Sequence, residues 1–474
     1  MLHQKYILSA LLIVLVALSK ATFSVPTGMY LKINTDLPLI VTVESSTCTK
    51  AANEININTL VYLESPTDQK SCSINFSLSD SNKIKIASYE LIINLDSSSA
   101  KNTFILPPNI QNVNLYPYAM KLDTLLGKSK ADFTLISISA KDLSQWMNLI
   151  NDKMQKPLNK LYITGTHDSG TYAIKNSSAY SPDSYNVWKN MGGDTASQFN
   201  ANWGHTQDSS IKEQLESGIR YFDLRLCADG VEVDDISTCH SQYGETLKNV
   251  VSSVKEFLQQ KNHQNEIIIL DINHWYNQHN KNLVSMKKNA LDYVNQELIP
   301  WIAPRRDANG QDLYTPSTAM SSFLAKKVQV IIASTSIPEN TDKNYNFVWH
   351  SINTQNLNEC IELTDICSYW PNAQDVAKLQ ASVTGTLNTL SSTPHNYLFI
   401  LQTQLTPSAS MVVKGMAKSS SFQSLKSLTG SYKDSMTTFL QRPEIYNDVA
   451  GIIFIEDFSN GIDQTNLVMQ LNSR

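Results

Sequence analysis

The feature that most constrains this chain is an alternation, from about residue 155 onward, of short apolar runs with longer amphipathic stretches. The runs are LYITGT (161–166), IRYFDLRL (219–226), EIIILDIN (266–273), VQVIIAS (328–334), YLFILQTQ (397–404) and GIIFIED (451–457). Between them lie IKEQLES, TLKNVVSSVKEFLQQ, SMKKNALDYVNQEL and DVAKLQASVTGTLNTL, with apolar residues at helical spacing. Strands that are apolar on both faces must be covered on both sides, which is the condition of a parallel sheet packed between helices. Residues 155–474 therefore predict an α/β domain, a distorted (β/α) TIM-type barrel. An open doubly wound sheet is the alternative, but no glycine-rich phosphate loop follows the first run.

Residues 22–145 follow another pattern. LIVTV (39–43), LVYLE (60–64), SINFSL (73–78), IKIASYELIINL (84–95) and FTLISIS (133–139) are separated by Ser, Thr, Asn and Asp. Short alternating runs of this kind predict an all-β, sandwich-like N-terminal domain, to which the sequence assigns no role. Residues 1–21 read as a secretory leader: Lys5, the apolar stretch Ile7–Leu18 broken only by Ser9, then small residues up to Ala21. That stretch is shorter than the roughly 20 residues a membrane-spanning helix needs. The polar end Asn466–Arg474 carries neither an anchor tail nor a retention signal. The expected product is secreted and soluble. Six cysteines fall as Cys48/Cys72, Cys227/Cys239 and Cys360/Cys367, local pairs that suit disulfides in an oxidising compartment. A metal site is the poorer reading, since no CxxC occurs. Asn75-Phe-Ser and Asn176-Ser-Ser are glycosylation acceptors. The formal charge of −5, more negative still once Lys5 and Lys20 leave, gives no general attraction to nucleic acid or anionic lipid. An anionic substrate must be captured locally.

Reactive side chains gather where a barrel places its active site, at the C-terminal ends of the strands. The first run ends in His167 and Asp168, the second in Asp223 and Arg225, the third in Asp271, Asn273 and His274, and the last in Glu456 and Asp457. His240 follows in STCHS, after a hairpin-sized segment. Side chains on a strand alternate faces, so Ile219, Tyr221, Asp223 and Arg225 share one face and Phe222, Leu224 and Leu226 the other. The first set would bring a carboxylate and a guanidinium into the barrel mouth.

LYITGTHDSGTYAI, LESGIRYFDLRLC, HSQYG, EIIILDINHWYN, SYWPNAQ, LQTQLTP and GIIFIEDF together resemble the X-domain phosphatidylinositol-specific phospholipases C, above all the stand-alone X-domain proteins and their bacterial counterparts. The resemblance runs from about residue 157 to 459. It implies a distorted barrel that cleaves between phosphate and diacylglycerol and leaves an inositol cyclic phosphate. By motif position it implies His167 as general base, His240 as general acid, Arg225 as phosphate clamp, Asp168 as a helper near the leaving group and Asp457 as the carboxylate orienting His167. Asp271 competes for that orienting role. Asp223, Asp271, Asn273 and His274 are the expected substrate-binding residues. Calcium-dependent relatives carry an acidic residue where this chain has Arg225, so no metal and no other cofactor is expected. The expected partner is a phosphatidylinositol-containing membrane surface, met transiently.

The chemistry stands without the family. A hydroxyl nucleophile and an alkoxide leaving group call for one proton acceptor and one donor, and histidine titrates nearest neutral pH. A guanidinium meets the charged oxygens of a phosphorane-like transition state with a fixed fork of donors. Two rival readings are a glycerophosphodiester phosphodiesterase, for which the needed Glu-x-Asp metal pair is missing at Asp223-Leu-Arg225, and a catalytically silent lipid-binding barrel. His205, His263, His279, His350 and His395 lack a supporting motif and read as surface or core histidines. Lys287-Lys288 and Arg305-Arg306 read as solvated charge. Trp188, Trp203, Trp275, Trp301 and Trp370 fall in segments that could rim the mouth.

Overall fold

The apolar runs become parallel strands of one closed sheet. In chain order these are β1 (Ile163–Thr166), β2 (Tyr221–Ala228), β3 (Ile268–Asn277), β4 (Val330–Ser334), β5 (Val348–Thr354), β6 (Ile366–Tyr369), β7 (Leu398–Gln402) and β8 (Ile452–Glu456). Each pairs with the next, and β8 returns to β1 through Ile453–Ile163 and Glu456–Thr166. The result is an α/β fold built on an eight-stranded parallel barrel. The computed structural model describes strand segments between residues 14 and 140 and, beyond them, residues 143–150, 155–184, 193–338, 342–362, 365–393, 395–416, 422–446, 449, 451–459 and 461–472. All but Val14–Leu15 of the expected leader, together with Cys48, the side chain of Cys72 and Trp188, lies outside the described residues.

Helices α1 (Gly193–Gly204) and α2 (Ile211–Glu216) follow β1, and α3 (Leu247–Leu258) follows β2. After β3 come α4 (Leu283–Leu298) and α5 (Met320–Ala325); α6 (Val376–Ser392) follows β6, and α7 (Ala409–Met416) and α8 (Leu425–Leu440) follow β7. Among the described residues, short 3-10 segments, Asp342–Tyr345 and Leu357–Glu362, take the place of helices between β4 and β5 and between β5 and β6. The barrel is distorted at that side. β5 and β6 escaped the sequence reading because VWHSINT mixes polar and apolar residues and ICSY is only four residues long.

Phe222, Leu224 and Leu226 of β2 point outward into a core with Val250, Val254 and Phe257 of α3 and Leu291 and Val294 of α4. Burying such side chains is worth roughly 1.5–3 kcal/mol each and fixes which face of β2 looks inward. Ile219 departs from the alternation. It precedes the strand and joins the outer core. Beside it, Arg220 is fully buried at the opposite end of the barrel from Arg225. Its Nε donates to Glu266 at 2.7 Å, and its terminal nitrogens donate to the carbonyls of Leu215, Ile219 and Ser144.

The chain divides into two compact units, Met1–Asp142 and Leu143–Arg474. The second unit starts earlier than the expected residue 155, because Leu143–Gln145 and Trp146–Leu149 seal the barrel's floor: Trp146 is fully buried and donates to Gly218 O at 2.8 Å. In the first unit, Gly28–Lys32 pairs with Leu60–Glu64, Ser71–Ser79 lies between Ile40–Ser46 and Lys85–Asn94, and Tyr118–Leu126 pairs with Asp132–Ala140. All these ladders are antiparallel. The face-to-face packing that a sandwich requires lies outside the described residues. Among the described residues no helix is long and apolar enough to cross a membrane.

Candidate active site

His167 follows β1 directly, and Gly165 within that strand lets its neighbours pack closely. A Cβ on Gly165 would fall 2.7 Å from Ile455 Cγ2 and 3.0 Å from the Tyr221 ring. His167 Nδ1 lies 2.8 Å from Asp457 Oδ1, just beyond β8. The carboxylate can only accept, so Nδ1 holds the proton and Nε2 is the nitrogen that titrates. Nε2 faces Asp168 Oδ2 at 3.4 Å and Asp223 Oδ2 at 4.0 Å. Burial lowers the affinity of His167 for a proton, but Asp168, Asp457 and Asp223 together outweigh it and raise its pKa to about 9.

Asp168 sits at the centre. Arg225 Nε approaches its Oδ1 at 2.7 Å, His167 Nε2 its Oδ2 at 3.4 Å, and His240 Nδ1 the same oxygen at 3.8 Å. The Arg225 contact is an ion pair without an aligned hydrogen bond. Burial opposes ionisation of Asp168, yet Arg225, His167 and His240 hold its carboxyl down at about 2. The cost falls on its neighbour: burial and the charge on Asp168 push Asp223 up to about 7. Asp223 accepts from Asp168 N at 3.2 Å and from the Asn273 amide, so it holds the loop beneath the site.

His240 is the last residue before the turn of an antiparallel hairpin, Ser237–Cys239 and Tyr243–Thr246, laid against β2. Its Nδ1 lies 3.0 Å from Gly204 O at the end of α1, so Nδ1 carries a proton and Nε2 is left to exchange one. A Cβ on Gly204 would lie 2.4 Å from His240 O, so the close approach requires glycine there. Strained backbone surrounds the site: of five non-glycine residues with positive φ among the described residues, Asp168, Ser241 and Phe458 adjoin His167, His240 and Asp457.

A bulge between β2 and β3 re-aims one more side chain. Leu224 pairs with Ile272 but Arg225 pairs with His274, so Asn273 is the extra residue. Strict alternation would send His274 outward; the bulge brings it into the mouth. Asn273 gives its amide N–H to Asp223, which turns its Oδ1 toward His274 Nδ1 at 2.7 Å. Burial and then Arg225 push His274 down to about 4, so it is neutral at physiological pH.

These groups open into a cavity of about 540 Å³ lined by His167, Arg225, His240, His274 and Asp457. The lining also has neutral polar side chains, Asn353 and Thr354 of β5, Gln402 of β7 and Gln404 just beyond it, and apolar ones, Phe199 and Trp203 of α1, Leu405, Pro407, Val412 of α7 and Leu425 of α8. Of the residues expected to face substrate, His274 lines the cavity. Asp223, Asp271 and Asn273 form a buried layer under it. Asp271 takes no part in orienting His167: it accepts from Tyr221 and Ser351, each at 2.6 Å, and burial raises it to about 6. Among the tryptophans, Trp203 and Trp370 line the cavity, whereas Trp275 and Trp301 pack in or against the outer core. His279 and His350 are exposed, His263 and His395 buried, and His205 pairs with Asp208 at 3.3 Å. Arg305 is not solvated charge; it is 5 % exposed and pairs with Asp365 and Asp312.

His167, Asp168 and Asp223 offer ligand atoms within 4.8 Å of one another, the one cluster at the site among the described residues that a cation could use. It supplies two carboxylates where calcium takes six to eight oxygens, and the Arg225 guanidinium already occupies the charge position. Sequence reasoning missed Gly204, Phe199 and Asn353, which lie in segments without a motif. Gln402 and Gln404 come from LQTQLTP, where the motif was visible but the role was not.

Residues 184–327 match the family described as phosphatidylinositol-specific phospholipase C, X domain. The chain is 27 % identical over 292 residues to human PI-PLC X domain-containing protein 3, covering 58 % of this chain and 78 % of that protein. It is 28 % identical over 139 residues to the variant-surface-glycoprotein phospholipase C of Trypanosoma brucei brucei, covering 28 % and 39 %. Among solved structures it resembles the phosphatidylinositol-specific phospholipase C of Staphylococcus aureus, with a TM-score of 0.45 and 15 % identity over 69 % of this chain and 98 % of that one. The matched segment contains Arg225, His240 and the bulged strand β3, while His167 and Asp457 reach the same mouth from outside it. Residues 184–327 are thus similar to a phosphatidylinositol-specific phospholipase C X domain, and the barrel unit is similar to proteins that carry one.

Proposed function

We propose that this protein is a secreted phospholipase C that cleaves phosphatidylinositol, or its glycosylated anchor form, to diacylglycerol and an inositol cyclic phosphate without a metal ion. The observation that carries this reading is the convergence of two imidazoles and a guanidinium on the single buried carboxylate of Asp168. His167 Nε2 takes the proton of the inositol 2-hydroxyl, whose oxygen bonds to phosphorus. The bond from phosphorus to the glycerol oxygen breaks, and His240 Nε2 supplies that oxygen with a proton. Arg225 holds the phosphate oxygens throughout; a preorganised donor of this kind contributes about 3–4 kcal/mol. His167 ends protonated and His240 deprotonated, so solvent must restore both before the next turnover.

The cavity lining supports a lipid substrate with an unphosphorylated ring. Its polar side chains beyond the histidines and Asp457 are mostly neutral amides and hydroxyls, and Arg225 is the one permanent cation among the described lining residues. Additional ring phosphates would be buried there without counter-charge. The apolar lining includes Phe199 and Trp203 of α1, the helix whose Gly204 meets His240, which supports a lipid chain beside the proposed acid. The name of the Trypanosoma brucei brucei relative couples a phospholipase C with a surface glycoprotein, which supports an anchored protein as an alternative substrate. The leader at 1–21 and the Cys227–Cys239 and Cys360–Cys367 disulfides support secretion.

The test is release of water-soluble inositol phosphate from phosphatidylinositol vesicles by the wild type and by His167→Ala and His240→Ala, with and without a chelator. Loss of turnover in both variants and indifference to the chelator are expected. Vesicle binding with no product from the wild type would instead indicate a silent lipid-binding barrel.

A further inference from the structure

Both peptide neighbours of His240 are tied down, and by groups outside the cavity. Cys239, immediately before it, is bonded to Cys227, two residues beyond Arg225 on β2. Ser241, immediately after it, has φ +65°, a left-handed conformation that is strained for a non-glycine residue. Something must hold that turn. The Ser241 N–H donates to Asp183 Oδ2 at 2.9 Å, and its carbonyl accepts from Ser184 Oγ at 2.7 Å and Ser181 N at 3.2 Å. The other oxygen of Asp183 accepts from the Ser181 hydroxyl and lies 3.7 Å from Cys227 Sγ. One carboxylate therefore meets the strained turn on one side and the disulfide on the other. The disulfide in turn reaches the strand that carries the guanidinium.

We infer that Asp183 and the Cys227–Cys239 disulfide are positioning elements for proton delivery, holding His240 at a fixed distance from Arg225. The inference rests on the phosphodiester cleavage proposed above. Neither Asp183 nor the disulfide lines the cavity, so neither is a catalytic residue. Their hydrogen bonds and covalent link act on the turn that carries His240, while the charge of Asp183 also reaches Arg225 and His274, a contribution that Asp183→Asn removes without breaking the turn. The chemistry makes that effect separable. A glycerol alkoxide cannot leave without a proton, so a displaced acid is felt in full, and general acid–base catalysis contributes about 10²–10⁴-fold. A nitrophenolate leaves without help, and the same displacement then costs little.

The experiment compares full-length wild type with Asp183→Ala, Asp183→Asn and Cys227→Ser/Cys239→Ser on phosphatidylinositol vesicles and on an inositol nitrophenyl phosphodiester. Asp183→Ala and the double serine variant should lose about 10- to 100-fold in kcat on the lipid and under about 3-fold on the nitrophenyl ester. Asp183→Asn, whose amide oxygen still accepts the Ser241 N–H, should recover most of the lipid rate. Equal losses on both substrates, or unchanged lipid turnover, would overturn the inference. The imidazole NMR signals of His240 provide a second readout that needs no turnover. They should shift in Asp183→Ala and stay near wild type in Asp183→Asn; identical signals in all three would also overturn it. A wild type that cleaves neither substrate refutes the phospholipase reading instead, and the NMR comparison still decides the positioning role.

Discussion

Replacing Asp457 by asparagine removes the charge bonded to His167 Nδ1 while keeping the size of the side chain. His167 is raised from 6.5 to about 9 against the opposing effect of burial. That is roughly 3 kcal/mol of preference for the imidazolium. Three carboxylates supply it, and Asp457 is the one that also makes a hydrogen bond, at 2.8 Å. Its loss should bring His167 down by about one to two units. A base near 9 is neutral in about one molecule in a hundred at pH 7, so kcat/KM of the wild type should climb with pH to about 9. In Asp457→Asn the climbing limb should move toward pH 7–8. The asparagine can also donate to Nδ1, which would leave the proton on Nε2 and the lone pair facing away from substrate. The plateau of kcat should therefore fall about 10²-fold or more. The assay is inositol phosphate release from vesicles between pH 5 and 10, with the His167 imidazole followed by NMR titration. A limb that stays at its wild-type pH with kcat unchanged would refute the pairing of Asp457 with the catalytic base.

Arg225→Lys keeps a positive charge but loses the fork of donors, so kcat should fall about 10²–10³-fold, and near-wild-type turnover would show that the guanidinium geometry is unimportant. Gly204→Ala would place a Cβ 2.4 Å from His240 O, so it should displace the hairpin and depress kcat on lipid more than it lowers the thermal midpoint; a fully active variant would contradict the close approach. Burial pushes His395 down to about 4. Between pH 6.5 and 4 the unfolded chain binds its proton and the folded chain does not, so this group's contribution to stability is intact above 6.5 and is lost as the pH falls toward 4. Denaturant titrations should therefore show the wild type losing stability over that window relative to His395→Gln, and parallel curves would contradict it.

Much of the site was readable because barrel strands deliver side chains at their C-terminal ends, and GTHDSG, FDLR and FIED carry their polar residues just there. Periodicity of two separated Asp223 and Arg225 from Phe222 and Leu224. It misplaced Ile219, which precedes the strand, and it could not foresee the bulge that turns His274 into the mouth. A bulge depends on pairing with a neighbour, and pairing is not a property of one segment. Asp271 sits on an inward face like Asp223, yet its partners Tyr221 and Ser351 come from two other strands, so its satisfied state was invisible in EIIILDIN. Gly204 meets His240 across 36 residues of chain and Asp183 meets Ser241 across 58, through loops whose course no local pattern encodes.

The central claim is that His167 and His240 pass a proton in and a proton out at one phosphorus atom. The most direct test is phosphorus NMR of the first product formed from phosphatidylinositol vesicles. A five-membered cyclic phosphate from the wild type, absent with His167→Ala or His240→Ala, is the predicted result. An acyclic inositol phosphate as the first product, or a cyclic one formed equally well by either variant, would contradict the account.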